Sequence, residues 1–189
     1  SSMKWCWENN LVVGGLPSRE NEDLPPVPID FKENKEANTE WRRQAAKIYR
    51  GRVATMSRRL LVAKILYIAD KLAGNRFFYP SQLDFRGRIY NIPAFLGIQG
   101  PDISRGLIQF NRPEKIKKDS DVRWLAIQGA NTFGNDKLSL DERVNFANHY
   151  TKTAIKIASD PTTHLEWTET DEPFQFLAWC FEWAQLHNT

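Results

Sequence analysis

Seven glycines and prolines interrupt the chain between Pro80 and Gly106: Pro80, Gly87, Pro93, Gly97, Gly100, Pro101 and Gly106. Proline removes a backbone donor and fixes φ, and an internal glycine weakens a helix by about 1 kcal/mol. No long helix can cross this stretch, so residues 77 to 110 are predicted to form short strands and turns. On both sides of it apolar residues recur three and four apart, the period of an amphipathic helix. The chain is therefore constrained to helix, then hairpins and turns, then helices, a mainly α fold with a small β component (α+β).

The helices can be placed by their ends. Residues 8–38 are rich in Pro, Asn and Glu, with Leu24-Pro25-Pro26-Val27-Pro28 at their centre, and read as an extended connector. Asn38 or Thr39 can cap a helix with Trp41, Ala45, Ile48 and Tyr49 on one face, which Gly51 is expected to interrupt or bend. A second pattern, Leu61, Ile65, Ile68 and Leu72, stops at Gly74-Asn75. Beyond Pro113, Asp119 or Ser120 can cap a helix through Val122, Leu125, Ala126 and Ala130 that ends near Gly134. Ser139 and Glu142 form a capping box for a helix ending before Asp160-Pro161. The last helix should begin between Asp171 and Pro173 and bury Phe174, Leu177, Ala178, Phe181 and Ala184, with Trp179 and Trp183 widening the stripe.

Charge divides the chain into three blocks. Residues 1–38 carry four basic and seven acidic groups, residues 39–118 carry seventeen and five, and residues 119–189 carry five and eleven. A central block this basic is the electrostatic footprint of a polyanion-binding surface. Cys6 and Cys180 stand alone, so neither a disulfide framework nor a zinc site is indicated and a reducing, intracellular setting is expected. No apolar run is long enough to cross a membrane. His149, His164 and His187 form no metal-binding pair, and neither a nucleophile elbow nor a phosphate-binding Walker loop occurs. The acidic clusters, Asp119/Asp121, Asp141/Glu142 and Glu169/Asp171/Glu172, sit at predicted helix starts, where the helix dipole accounts for them.

One string stands out within the basic block: Asp84-Phe85-Arg86-Gly87-Arg88-Ile89-Tyr90. Glycine allows close approach of the main chain, Arg forks match phosphate oxygens and aromatic faces stack on bases. A turn at a strand edge, with an Arg paired to Asp84, fits the bare string equally well. Arg42, Arg43, Lys47, Arg50, Arg52, Arg58, Arg59 and Lys64 have only Glu40 as a nearby acid, a one-sign face suited to phosphate contact.

The order of motifs resembles the single-subunit DNA-directed RNA polymerases of bacteriophages and mitochondria. The resemblance rests on Phe78-Tyr79-Pro80, the Asp84 to Tyr90 string, and the run from Gly100 to Leu107 (GPDISRGL). It continues through Trp124 to Asn131 (WLAIQGAN), Glu142-Arg143, and Glu172 to Glu182 (EPFQFLAWCFE). It runs from about Leu24 to the C-terminus and implies part of a right-hand polymerase fold. Residues 1–38 would be the N-terminal connector, 39–76 a basic thumb portion, 77–112 the first palm segment, 113–170 a helical palm insertion, and 171–189 a palm helix leading towards the catalytic strand.

In that family the D-x-x-G-R element contacts the template strand and the RNA–DNA hybrid, which implies such roles for Asp84, Arg86, Gly87, Arg88 and Tyr90. Phe85 stands where many phage members have tryptophan, so stacking there would be weaker. Arg105 occupies the position of a basic residue, commonly lysine, close to the initiating nucleotides or template, and Arg58 and Arg59 fall in the thumb that wraps the hybrid. The family's metal-binding aspartates lie beyond the last helix represented here. The resemblance therefore implies no catalytic and no metal-ligating residue in this chain, with Mg²⁺ acting in the assembled enzyme. The implied partners are DNA template, RNA–DNA hybrid, NTPs and a second polymerase chain carrying the aspartates. The chain would be a split subunit or fragment of a nucleotidyltransferase, not competent alone, acting in the host cytoplasm if of phage origin or in the mitochondrial matrix otherwise. The competing class is a non-catalytic nucleic-acid-binding or regulatory module on a polymerase-derived scaffold.

Overall fold

The computed structural model describes residues 2–29, 31 and 34–187. In chain order these form α1 (Ser2–Glu8), α2 (Lys35–Leu72), β1 (Ser81–Leu83), β2 (Ile89–Asn91), α3 (Asp102–Arg105), α4 (Asp119–Phe133), α5 (Leu140–Ser159) and α6 (Pro173–His187), with a 3₁₀ turn at Glu166–Glu169 before α6. The architecture is mainly α with one two-stranded antiparallel sheet.

α2 is a single helix of 38 residues, about 57 Å long. It starts earlier than expected because Asn34, not Asn38 or Thr39, caps it. The Asn34 Oδ1 accepts from the amides of Glu36 and Ala37 at 3.1 Å each, satisfying two of the donors a helix start leaves free. Thr39 instead donates its hydroxyl to Lys35 O inside the first turns. Gly51 neither breaks nor ends the helix; good helix formers flank it, and one glycine among so many residues is an affordable weakness. The stop at Gly74 is as predicted: Gly74 takes φ +73° and Asn75 N donates to Leu72 O at 2.9 Å.

The stretch read as a connector begins with a helix. Met3 and Cys6 of α1 are buried with Val13 and Leu16, and Lys4 pairs with Asp70 near the end of α2 at 2.9 Å. Beyond Leu16 the chain runs extended along α2 towards its start. Arg59 donates to Ser18 O and Glu20 O, both at 2.7 Å, Arg52 donates to Glu22 O, and Trp41 Nε1 donates to Pro25 O at 2.9 Å. Tyr49 and Leu61, expected on the buried face of α2, are exposed; Ala45 and Ile65 are buried as expected, and Val62 is buried with them.

α4, α5 and α6 pack on one another as the main core. Phe133, Phe146, Tyr150, Phe176, Trp179 and Trp183 make a continuous run of ring contacts through it, with centroids 4.7–5.6 Å apart. Each indole is anchored: Trp179 Nε1 donates to Leu125 O at 2.9 Å, Trp183 Nε1 to Thr151 Oγ1 at 3.0 Å, and Trp167 Nε1 to Pro161 O at 3.0 Å. Phe174, Leu177, Trp179, Trp183 and Ala184 of α6 are buried as expected, Phe176 and Cys180 are buried with them, and Ala178 and Phe181, expected on the same face, are exposed. Gly129 lets α4 come this close: a Cβ there would lie 2.1 Å from Trp179 Cε2. The Ser139–Glu142 capping box forms as predicted, with Ser139 N donating to Glu142 Oε2 at 2.9 Å.

Candidate nucleic-acid interface

The Asp84–Arg88 segment is the turn of the β1–β2 hairpin, whose register pairs Leu83 with Ile89, Gln82 with Tyr90 and Ser81 with Asn91. Gly87 N donates to Asp84 O at 3.1 Å, Asp84 N donates to Arg88 O at 2.9 Å, and Gly87 takes φ +75°. This is a turn closed by a glycine bulge, for which a left-handed residue is needed. The Asp84 carboxylate completes it. Its Oδ1 accepts from the main-chain amides of Arg86 at 2.8 Å and Arg88 at 2.9 Å.

The segment is a turn at a strand edge, but without the Asp84–Arg side-chain pairing that this reading of the string included. Asp84 binds the backbones of the arginines, not their guanidiniums, and among the described residues neither Arg86 nor Arg88 takes part in an ion pair. Arg86 Cζ lies 5.1 Å from the Phe85 ring centroid, and Phe85 is 92% exposed. Two cations and an aromatic face therefore project from one tight turn, with Tyr90 partly exposed on β2. A Cβ on Gly87 would meet nothing within 4 Å, so the space beside the turn is open. The outer edge of β2 is braced by Gln99, whose Oε1 accepts from Asn91 N at 2.9 Å and whose Nε2 donates to Ile89 O at 2.8 Å. Gln99 thus mimics a neighbouring strand and stiffens a hairpin too small to be stable alone.

The other expected contacts differ in how free they are. Arg58 is exposed and lines a groove of about 610 Å³ between α2 and residues 12–22. Arg59 is engaged within the chain: besides its bonds to Ser18 O and Glu20 O, its Nη1 donates to Asn21 Oδ1 at 3.1 Å. Arg105 pairs with Glu172, each side chain one-third exposed, while its buried Nε has no hydrogen-bond partner among the described residues. Glu172 also accepts from Gln175 Nε2 at 2.8 Å. As placed, Arg105 joins the turn after Pro101 to the start of α6, and its charge is balanced locally.

Asp102 was not singled out by its sequence neighbourhood. Its buried carboxylate accepts from Phe174 N at 2.8 Å, Gln175 N at 3.1 Å and Gln175 Nε2 at 3.2 Å, capping α6 from 72 residues away. Burial pushes its carboxyl above the ordinary range, against the pull of these three bonds. Burial also pushes the Cys180 thiol up to about 12 and that of Cys6 up to about 11, so neither is a thiolate near neutral pH. Among the described residues no group of three His, Cys, Asp or Glu side chains could hold a metal ion, and no helix is long and apolar enough to cross a membrane.

Comparison with known proteins gives a consistent result. Residues 115–189 match the family described as DNA-dependent RNA polymerase. The chain is 38% identical over 186 residues to T7 RNA polymerase of Escherichia phage T7, an overlap covering 98% of this chain and 20% of that protein. It is 38% identical over 179 residues to the DNA-directed RNA polymerase of Enterobacteria phage T3, covering 94% of this chain and 20% of that protein. Against the mitochondrial DNA-directed RNA polymerase of Neurospora crassa it is 33% identical over 180 residues, 94% of this chain and 12% of the relative. The chain spans about one fifth of the length of the phage relatives it matches.

Proposed function

We infer that this chain, whose sequence is that of a segment of the single-subunit DNA-directed RNA polymerase family, serves as a template- and hybrid-holding part of such a polymerase. The observation that carries this reading is the turn at Asp84–Arg88, in which the carboxylate is held by main-chain amides, both arginines are exposed, and Arg86 lies against the exposed Phe85 ring. Each guanidinium can fork onto phosphate oxygens, and Phe85 offers a face to a base or sugar. Arg58 adds a charge on α2. Arg105 would join the interface only if nucleic acid displaced Glu172.

The segments keep the roles expected from the resemblance: residues 39–76 a thumb portion, 77–112 the first palm segment, 113–170 a palm insertion and 171–189 the palm helix. Nucleotidyl transfer would use Mg²⁺ held by aspartates outside residues 1–189, in further polymerase sequence or in a second chain. DNA template, RNA–DNA hybrid and NTPs are the partners of that assembly, and an intracellular setting goes with it.

Two measurements test the reading. Chain mixed with the remaining polymerase sequence, template, NTPs and Mg²⁺ should synthesise RNA, and omission of the chain should abolish synthesis. Arg86→Ala and Arg88→Ala should each weaken hybrid binding and reduce the slope of log affinity against log salt by about 0.7–0.9, one phosphate contact each. Unchanged slopes in both variants would remove the phosphate role from the turn.

A further inference from the structure

α2 carries an apolar stripe on its solvent side. Tyr49, Val53, Met56, Leu60 and Tyr67 are 52%, 67%, 62%, 58% and 63% exposed, and Ala63 between them is exposed as well. Their spacings alternate four and three without a break, the pattern of a helix seam that packs against a second helix. At 100° per residue the stripe lies on the side of α2 opposite Val62 and Ala69, so burial by the rest of the chain does not explain it. From Tyr49 to Tyr67 it covers 19 residues, an axial rise of about 27 Å, and a continuous apolar surface of this kind marks an interaction site.

The flanks identify the occupant. Arg50 and Lys64 border the stripe on one side; on the other stand Arg52 and Arg59, which also hold carbonyls of residues 18–22, and from Trp41 to Ala69 there are eight basic residues and no acidic one. Arg52 also lies 5.6 Å from the Tyr49 ring and Lys71 5.6 Å from the Tyr67 ring, so cations cover both ends of the seam. A second copy of α2 would set like charges against each other along both flanks. Nucleic acid would find valine, methionine, leucine and alanine where it needs donors.

We propose that the outer face of α2 docks an amphipathic helix whose apolar seam is flanked by Asp and Glu, supplied by polymerase sequence outside residues 1–189. About five turns of such a helix match the length of the stripe. The docked helix leaves Arg58 clear, since Arg58 lies half a turn round α2 from Tyr49 and Tyr67. This inference does not depend on the hybrid-holding role, and the two fail separately.

The test uses the 189-residue chain and two labelled 21-residue helical peptides with leucine at alternating four- and three-residue spacing, one with Glu at the flanking positions and one with Lys. Fluorescence anisotropy should show the Glu peptide binding at least tenfold more tightly than the Lys peptide. The double variant Met56→Gln/Leu60→Gln, whose sites are exposed and helix-compatible, should lose about tenfold in affinity for the Glu peptide. Its far-ultraviolet circular dichroism and RNA–DNA hybrid affinity should remain at the parent level. Equal binding of both peptides, or no loss in the double variant, would overturn the proposal. A concentration-dependent dimer abolished by the double variant would assign the stripe to a second copy, and a parallel loss of hybrid affinity would assign it to nucleic acid; either result also overturns it.

Discussion

Replacing Gly129 by alanine adds one methyl group at the tightest crossing in the core. The new Cβ would lie 2.1 Å from Trp179 Cε2 and 2.5 Å from both Cζ2 and Nε1, more than an ångström inside ordinary contact. The indole has no easy retreat. Its Nε1 is bonded to Leu125 O, and it is stacked between Phe176 at 5.2 Å and Trp183 at 5.3 Å. Relief therefore requires either separating α4 from α6 or rotating Trp179 and breaking its bond. Overpacking of this kind costs about 1–3 kcal/mol and a lost hydrogen bond about 1 kcal/mol more, against a gain of about 1 kcal/mol in helix propensity. The net expectation is a loss of about 1–3 kcal/mol, or a fall in Tm of about 4–8 °C near the middle of that range. Gly51→Ala is the internal control, because a Cβ there meets nothing within 4 Å and the same propensity gain of up to about 1 kcal/mol should appear as stabilisation of α2. Thermal unfolding followed by near-ultraviolet circular dichroism of the tryptophans reads the first variant, and far-ultraviolet signal reads the second. Gly129→Ala with the parent Tm and an unchanged tryptophan spectrum would refute the packing argument.

Asp84→Ala tests whether turn geometry or bare charge governs the hairpin. Removing an acid beside two arginines should favour phosphate binding on charge alone, yet loss of both amide bonds should loosen the turn and lower hybrid affinity, as a binding titration at fixed salt would show. The Asp160 carboxyl is held down at about 2 by hydrogen bonds from Thr162 and Thr163. Because the folded value is depressed, its stabilising contribution is present above the unfolded value near 4 and is lost as pH falls towards 2, so Asp160→Asn should flatten the acid limb of a stability–pH curve. Asp102 has the opposite sign: its folded value is raised by burial, so the folded state binds the extra proton and stability from this group falls as pH rises from the unfolded value through the folded one. Asp102→Asn should remove that slope, measured by urea titrations across the acid range. Cys6 and Cys180 should resist a thiol reagent at pH 8 in the folded protein and react together on unfolding; rapid labelling of either in the native state would contradict their burial.

Much of the architecture is legible along the chain because the signals are local. Ser139 and Glu142 are three residues apart, Gly134 and Gly74 adopt the positive φ that ends helices, and Asp84 with Gly87 closes a turn within five residues. In each case the residue type and its conformation are nearly the same fact. The start of α2 was expected too late, at Asn38 or Thr39, because Lys35, Glu36 and Ala37 are compatible with helix and let Asn34 cap it instead.

The helix–hairpin–helix order, the basic centre, and a turn with two arginines and an aromatic that resembles a polymerase motif can all be read along the chain. Which charges remain free was decided by tertiary structure. Arg59 and Arg105 look like equals of Arg86 and Arg88 on the page, but Arg59 reaches carbonyls 39 and 41 residues away and Arg105 meets Glu172 across 67. The Asp102 cap and the outward seam of α2 likewise follow from which elements come together and which find no neighbour. The physical reason is that a guanidinium's free energy depends on the carbonyls, carboxylates and water around it. Those surroundings are assembled only when segments distant along the chain are packed against each other.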